Sequence, residues 1–461
     1  MDLRSFLSLL ESKGRLQKVG AEVDKEWELS CIARHVARMP AAQRYGLLFE
    51  KPKGFDIPVA VGLFGSRDLY AMGLGVSGID EVRQLWLDAL AKPVPPVMVE
   101  TGPCKDVVLR GKDVDLLKLP VPVWTPGLDP GPYLTAGCVL MKDPETGIRN
   151  VGVYRLQLKG RNKLGILILP AKHSGIIYSK YEARSKPMEV AIIIGPPPAV
   201  CMTSVARVPY GADELAVSGG LQKKALELVR CETVDLEAPA DAEVVIEGVV
   251  PPFEREMEGP FGEFSGYMGP EGMQSFVNVT AVTHRKNPIY QAFIEQKPPA
   301  EGSILKDIVL EIVLLNAMRA LGVPGIKDVY ATEAGAQYHA VVSMQKLFPG
   351  HARQVIQACW AAYPVGCKQV VVVEDDCDIY DPRDVDWHVA TRVQPDRDVV
   401  IMPDCTGHTL DPSMPPERRH WGAKMGIDAT RKIPYPPVSL PPAEMLAKVR
   451  EMWSKYGLPP L

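Results

Sequence analysis

Apolar positions along the chain change period twice, and those changes divide it. Leu3, Phe6, Leu7 and Leu10 recur at helical spacing after Asp2, with Gly14 as a stop. A second helix is predicted over 28–39, with Leu29, Ile32, Ala33 and Val36 on one face. Strands are predicted over 45–50 and 58–62 and a helix over 82–90, which makes an N-terminal α/β unit (residues 1–105). From Val107 the pattern turns into short apolar runs between prolines and glycines: 133–141, 151–158, 165–169, 190–195, 242–247 and 276–284. Many short strands with few helices predict a closed or split β-barrel over 106–302. Ser303 is the expected cap of a long helix over 304–321, stopped by Gly322 with Pro324 beyond. That helix is apolar on more than one face, as a buried linker (303–323) would be. Strands at 340–344, 369–373 and 399–402 then alternate with helices at 352–363 and 383–391. This pattern predicts a C-terminal α/β domain with parallel pairing over 324–440. A tail helix over 443–455 closes the last segment, 441–461. The fold class is a multidomain α/β protein.

Length and composition fit that division. With 461 residues, 46% hydrophobic and 23% charged, the chain has the make-up of a globular protein of two or three domains. A net charge of −4 without a basic block excludes nucleic acid as an expected partner. The uncharged run 190–206 contains Pro196-Pro197-Pro198 and is too short to span a membrane, and the N-terminus lacks the apolar core of a signal peptide. Nine cysteines without a CxxC pair suit reduced thiols in the cytoplasm, and zinc-finger spacing is absent. The 43 prolines, spread through the middle and end, call for ordered turns.

The chemistry concentrates in Glu258-Gly259-Pro260-Phe261-Gly262-Glu263. Pro260 and the glycines break helix and strand alike, so a tight turn can bring both carboxylates to one point. Paired carboxyls can do acid–base work because each raises the pKa of the other; the same spacing also fits a solvated loop. Arg155 lies in the strand-like run 150–157. Alternation places it with Val151, Val153 and Gln157 on one face, as a pocket-facing cation or a barrel-rim ion pair. Asn150, His173 and Glu214 form an oxygen and nitrogen set suited to Mn²⁺ or Mg²⁺, although their spacing is no metal motif and a lone histidine is more often structural. Neither nucleotide-binding glycine pattern is present, nor a Gly-x-Ser-x-Gly elbow.

Taken together, these motifs resemble the UbiD family of reversible decarboxylases, which use prenylated FMN. The resemblance rests on 2–7, on Asp113-Val114-Asp115-Leu116 with Leu119-Pro120, and on 150–157. It continues through 258–263 with Gly266-Tyr267, 407–413 and 426–430. It implies that Glu258, Arg155 and Glu263 are the catalytic network, with Glu263 the proton donor. It implies further that Asn150, His173 and Glu214 hold a divalent cation bridging the flavin phosphate, with K⁺ nearby and Ser204 lining that site. Val153, Tyr154, Arg155, Gln157 and Lys172 fall on flavin-binding positions, and His408 and Leu410 on the segment that faces substrate. The family's chemistry accounts for the network: losing CO₂ from an sp² carbon leaves electrons that no side chain can delocalise, so a cofactor must take them. A flavin prenyltransferase is the implied cofactor supplier, and a homo-oligomer (dimer or hexamer) the implied assembly. The same catalyst run as a carboxylase, and a non-catalytic flavin- or metal-binding subunit of a larger complex, are the competing readings. The substrate class left open is an aromatic (phenolic or heteroaromatic) or α,β-unsaturated acid.

Overall fold

The computed structural model describes residues 1–418 and 421–459, so the last two positions of the tail lie outside it. Asp2 caps the first helix, Leu3–Ser12, its Oδ1 accepting the Ser5 N–H at 2.9 Å, and the four apolar positions read from the sequence are all buried. The helices Glu28–Ala37 and Ile79–Ala91 also form as read. The strand Leu16–Val23 was not legible, because most of its positions are exposed and it carries no alternation. It starts a four-stranded sheet that continues through Gly46–Pro52 and Val59–Val61 to Tyr290–Ala292. The fourth strand arrives from far along the chain, so the N-terminal unit is completed by a segment that follows the central sheet.

The central region is one ten-stranded sheet whose strand pairings are antiparallel. Its main path runs Tyr133–Leu134, Leu156–Gly160, Lys163–Ile166, Gly272–His284, Val244–Val250, Met188–Ile194, Cys138–Lys142 and Arg149–Val153. The two ends of the path do not pair, so among the described residues the barrel is split and the closed form does not occur. Two expected strands are each broken in two. Tyr133–Leu134 pairs with Leu156–Gly160, whereas Cys138–Lys142 pairs with Arg149–Val153 at the other end of the path. The chain therefore crosses the split at Tyr154-Arg155, and strand alternation does not set the direction of Arg155. The helices Pro198–Val205 and Glu214–Leu221 escaped the sequence pattern because they are buried almost all round, leaving no polar face to mark a period.

The long helix spans Glu301–Ala320 with Ala300 as N-cap. Ser303 is its third residue and not its cap. The Ser303 Oγ accepts the Ala300 N–H at 3.1 Å, the reciprocal half of a capping box. Glu301 accepts the Gly62 and Phe64 N–H groups at 2.9 Å, Glu311 pairs with Arg67, and Asp307 accepts the Gln337 N–H at 2.9 Å. The helix is thus fastened to the domains on both sides. The C-terminal sheet runs Ile326–Ala331, His339–Met344, Gln369–Glu374, Trp421–Asp428, Val399–Thr406. Only its two central pairings are parallel; both edge strands run antiparallel, so the sheet is mixed. All nine cysteines are free thiols. No helix among the described residues is long and apolar enough to cross a membrane.

Candidate active site

The strand Glu256–Glu258 pairs with Gly272–His284, and Phe261–Gly262 pairs with Met268–Gly269. Between them Gly259 takes φ +85°, a conformation that suits only glycine without strain. The resulting turn aims both carboxylates at one guanidinium. Arg155 Nη2 donates to Glu258 Oε2 at 2.6 Å and Nη1 donates to Glu263 Oε1 at 2.5 Å. A Cβ on Gly269 would come within 2.9 Å of Arg155 Nη1 and 3.0 Å of Glu263 Cγ, so the strand opposite is hollowed out to admit the pair. The Tyr133 hydroxyl accepts the Gly259 N–H at 3.1 Å, while its ring stacks on Phe261 with centroids 4.2 Å apart.

The arginine side chain is 7% exposed and those of Glu258 and Glu263 0% and 14%, which rules out both the solvated loop and the rim ion pair. Burial pushes the Glu263 carboxyl above its ordinary range. Arg155 and Lys306 oppose that shift and Glu258 adds to it. The network is not self-sufficient: Arg155 Nε, Glu258 Oε1 and Gln157 Oε1 are buried without a partner among the described residues. Orphaned polar atoms are rare in a folded interior, and three around one arginine mark a place where a polar ligand completes the bonding.

A second cluster forms on the other side of the crossing. Asn150 lies in Arg149–Val153, His173 opens the helix His173–Ala183, and Glu214 opens Glu214–Leu221. His173 Nδ1 is 3.2 Å from Asn150 Oδ1, and Glu214 Oε2 accepts the Val151 N–H at 3.0 Å. Burial pushes the Glu214 carboxyl up to about 8. Burial, with Arg207 and Lys172 adding, pushes the His173 imidazole down, towards the neutral ring that can ligate a metal. A buried carboxyl, an amide oxygen and a neutral imidazole form a donor set that fits a hard divalent ion. Ser204 is buried in the helix Pro198–Val205, where its hydroxyl donates to Val200 O at 2.6 Å.

The C-terminal domain supplies another wall. The His408 ring lies 5.0 Å from Phe264, the residue after Glu263, and Tyr338 is 5.8 Å from the same ring. Leu410 N–H donates to His408 Nδ1 at 3.1 Å, so the neutral ring carries its proton on Nε2. Burial, then Lys172 and Lys306, push the His408 pKa down to about 3 and keep it neutral. Lys306 Nζ sits 4.6 Å from the centroid of Phe264, and Arg207 lies over Tyr363 at 5.6 Å. Sequence reading missed Lys306, Arg207, Tyr338 and Glu295. For Lys306 a signal existed, a lone lysine in an otherwise largely apolar stretch of the long helix; Arg207 sits in a loop that carries none.

The chain matches the family models of the 3-octaprenyl-4-hydroxybenzoate carboxy-lyase N-terminal domain over 7–86, Rift-related domain over 97–298 and C-terminal domain over 303–429. It belongs to the UbiD family. An uncharacterized protein of Synechocystis sp. is 34% identical over 99% of this chain and 96% of its own length. The UbiD-class enzyme HmfF from Pelotomaculum thermopropionicum, solved in complex with FMN, superposes with a TM-score of 0.89 at 40% identity, covering 97% of this chain and all of that one. An evolved dimeric form of HmfF was solved with prFMN. The vanillic acid decarboxylase of Sedimentibacter hydroxybenzoicus in open form gives 0.84 at 31% identity over 98% of this chain and 99% of that one. The family's models are named for a carboxy-lyase, the Sedimentibacter neighbour is a decarboxylase of vanillic acid, and the flavin complexes of HmfF imply a flavin cofactor for the family.

Proposed function

We propose that this protein is a reversible, non-oxidative decarboxylase of an aromatic (phenolic or heteroaromatic) or α,β-unsaturated carboxylic acid, with prenylated FMN as cofactor. The observation that carries this reading is the Arg155–Glu258–Glu263 network, buried, with three unpartnered polar atoms around it. Prenylated FMN, when bound, supplies the electron sink that side chains lack. Val153, Tyr154, Gln157 and Lys172 would line it; Asn150, His173 and Glu214 would hold Mn²⁺ or Mg²⁺ at its phosphate end, with K⁺ close to Ser204.

Glu263 gives the proton to the carbon that has lost CO₂. Its raised proton affinity keeps it in the acid form at pH values where an exposed glutamate is ionised. Arg155 fixes the Glu263 carboxyl by one hydrogen bond and offsets the Glu258 charge by the other, so the donor is oriented and its pKa held between two opposing influences. His408 presents an Nε2–H donor from the C-terminal wall, suited to an oxygen on the substrate ring, with Leu410 fixing its tautomer. Because a catalyst lowers one shared barrier, the same residues serve carboxylation under high bicarbonate.

The tail gives the assembly its support. Ile433, Leu440 and Met445 expose 66%, 70% and 57% of their surface, in a segment that packs on little of its own chain. Apolar exposure on this scale fits a homo-oligomer, a dimer or hexamer, in which a second copy covers it. A cytoplasmic location and supply of cofactor by a flavin prenyltransferase belong to the same reading.

The test is Glu263→Gln, made in cells that also express a flavin prenyltransferase. Bound cofactor, read by absorbance and mass spectrometry, is retained, while CO₂ release falls by ~10²–10⁴-fold. Full turnover in that variant would remove Glu263 from the mechanism. Plain FMN or no flavin in the wild type would return the non-catalytic subunit to the front.

A further inference from the structure

One acid beside the network has no part in the chemistry above. Beyond the strand Tyr290–Ala292 the chain continues through Phe293 and Ile294 to Glu295, and Phe293 N–H donates to Thr135 Oγ1 at 3.0 Å, which anchors the approach. The Glu295 carbonyl oxygen lies 3.2 Å from where a Cβ on Gly262 would stand, so Glu295 runs alongside the turn that carries Glu263. Its carboxyl packs against the start of the long helix, at Gly302. Burial pushes its pKa up, with Glu263 adding and Lys306 opposing, and none of these influences is a hydrogen bond. Among the described residues no side chain or backbone group pairs with it, and the residue as a whole is half-buried.

Its position is made possible by Gly302, in the first turn of the long helix. A Cβ there would stand 1.6 Å from Glu295 Oε1, so any other residue would push the carboxyl away. A carboxyl oxygen accepts hydrogen bonds in either protonation state, and a largely desolvated acceptor without a partner is costly unless a ligand supplies the donor.

We propose that Glu295 is a specificity-determining residue of this site, accepting a hydrogen bond from a donor carried on the substrate ring, either the N–H of a pyrrole-type ring or the O–H of a phenol. The proposal rests on the decarboxylase reading and narrows its substrate class. A site built around such an acceptor rejects the isostere that lacks the donor, because the acceptor is then left unpaired.

The test uses the flavin-loaded protein and reads binding through the change in flavin absorbance. Pyrrole-2-carboxylate is titrated against furan-2-carboxylate, and 4-hydroxybenzoate against benzoate. The donor-bearing member of at least one pair binds ~10-fold tighter or better to the wild type. That ratio falls to about one in Glu295→Leu and survives in Glu295→Gln, which keeps an acceptor oxygen. Gly302→Ala, which leaves Glu295 in place but displaces its carboxyl, loses the ratio as well and serves if Glu295→Leu fails to load flavin. Discrimination within the pyrrole pair alone assigns the N–H source, and within the phenol pair alone the O–H source. Equal or unmeasurable affinities within both pairs, or a preference that persists in Glu295→Leu and Gly302→Ala, overturns the proposal. CO₂ release separates the two readings. Discrimination in binding without release from any acid sinks the decarboxylase and spares Glu295, and release without discrimination does the reverse.

Discussion

Two clusters flank the crossing at Tyr154-Arg155, and they differ in what holds them together. Arg155, Glu258 and Glu263 are joined by two charge-assisted hydrogen bonds of 2.5 and 2.6 Å, so the protein itself assembles them. Asn150, His173 and Glu214 bring an amide, an imidazole and a carboxyl together, and burial pushes the Glu214 carboxyl up to about 8. The first cluster is a finished device with a few open bonds; the second, on the function proposed, is a socket for an ion. A buried acid with its counter-ion built in can be tuned by its neighbours, whereas a buried acid without one holds a proton unless an ion from outside replaces it.

Exchanging the roles of the two clusters gives the largest effects. Glu214→Gln is expected to cost activity as severely as Glu263→Gln but by the opposite route, with divalent metal and flavin lost together in elemental analysis and absorbance. Glu263→Gln keeps both. Should Glu214→Gln retain full metal and flavin, the socket is wrongly assigned.

Arg155→Leu strips the counter-ion from two buried acids at once. It should cost ~3–5 kcal/mol of stability, read from the denaturant midpoint, because Glu258 is left wholly buried and unpaired. A change below ~1 kcal/mol would mean that the network is held by the turn and not by the arginine.

Lys306→Met sharpens the comparison by changing the field on Glu263 without touching its hydrogen-bonded partner Arg155. On the proposed mechanism protonated Glu263 is the active form, so activity falls as pH rises through its raised pKa; Lys306 lowers that pKa, and its removal moves the basic limb of the kcat–pH profile to higher pH. A limb that stays in place, or moves down, would show that another group controls it. Tyr133→Phe is the smallest change: it removes the acceptor of the Gly259 N–H and should cost ~1 kcal/mol, with kcat altered only slightly. Loss of kcat comparable to that of Glu263→Gln would instead place Tyr133 in the chemistry.

Much of the local structure was legible. The first helix and its Asp2 cap follow from spacing and capping alone, because both act within a few residues. The turn at 258–263 was visible for the same reason: glycine and proline restrict the backbone wherever they stand. The helices Pro198–Val205 and Glu214–Leu221 were hidden, since burial on all sides erases the period on which such reading depends. Arg155 was picked out on an argument that the structure replaces. Continuous alternation was assumed, yet the strand stops at Val153 and resumes at Leu156 in a different part of the sheet. Likewise Ser303 carries the right residue type for a cap but sits three positions inside the helix, where the capping box needs it.

The amino-acid sequence by itself determined which residues could do chemistry: two acids in a glycine–proline turn and one arginine in an apolar run, on motifs that resemble the UbiD family, and an Asn, His and Glu set that only that resemblance draws together. Their convergence was decided only by tertiary structure. Pairing puts Arg149–Val153 and Leu156–Gly160 in different parts of one split sheet, which throws Arg155 into the gap, and long-range packing brings Lys306, His408 and Glu295 around it. The reason is range. Turn and cap preferences act over a few residues and are written locally, whereas the burial that shifts Glu263, Glu214 and His408 is a property of the closed fold and of no single stretch of chain.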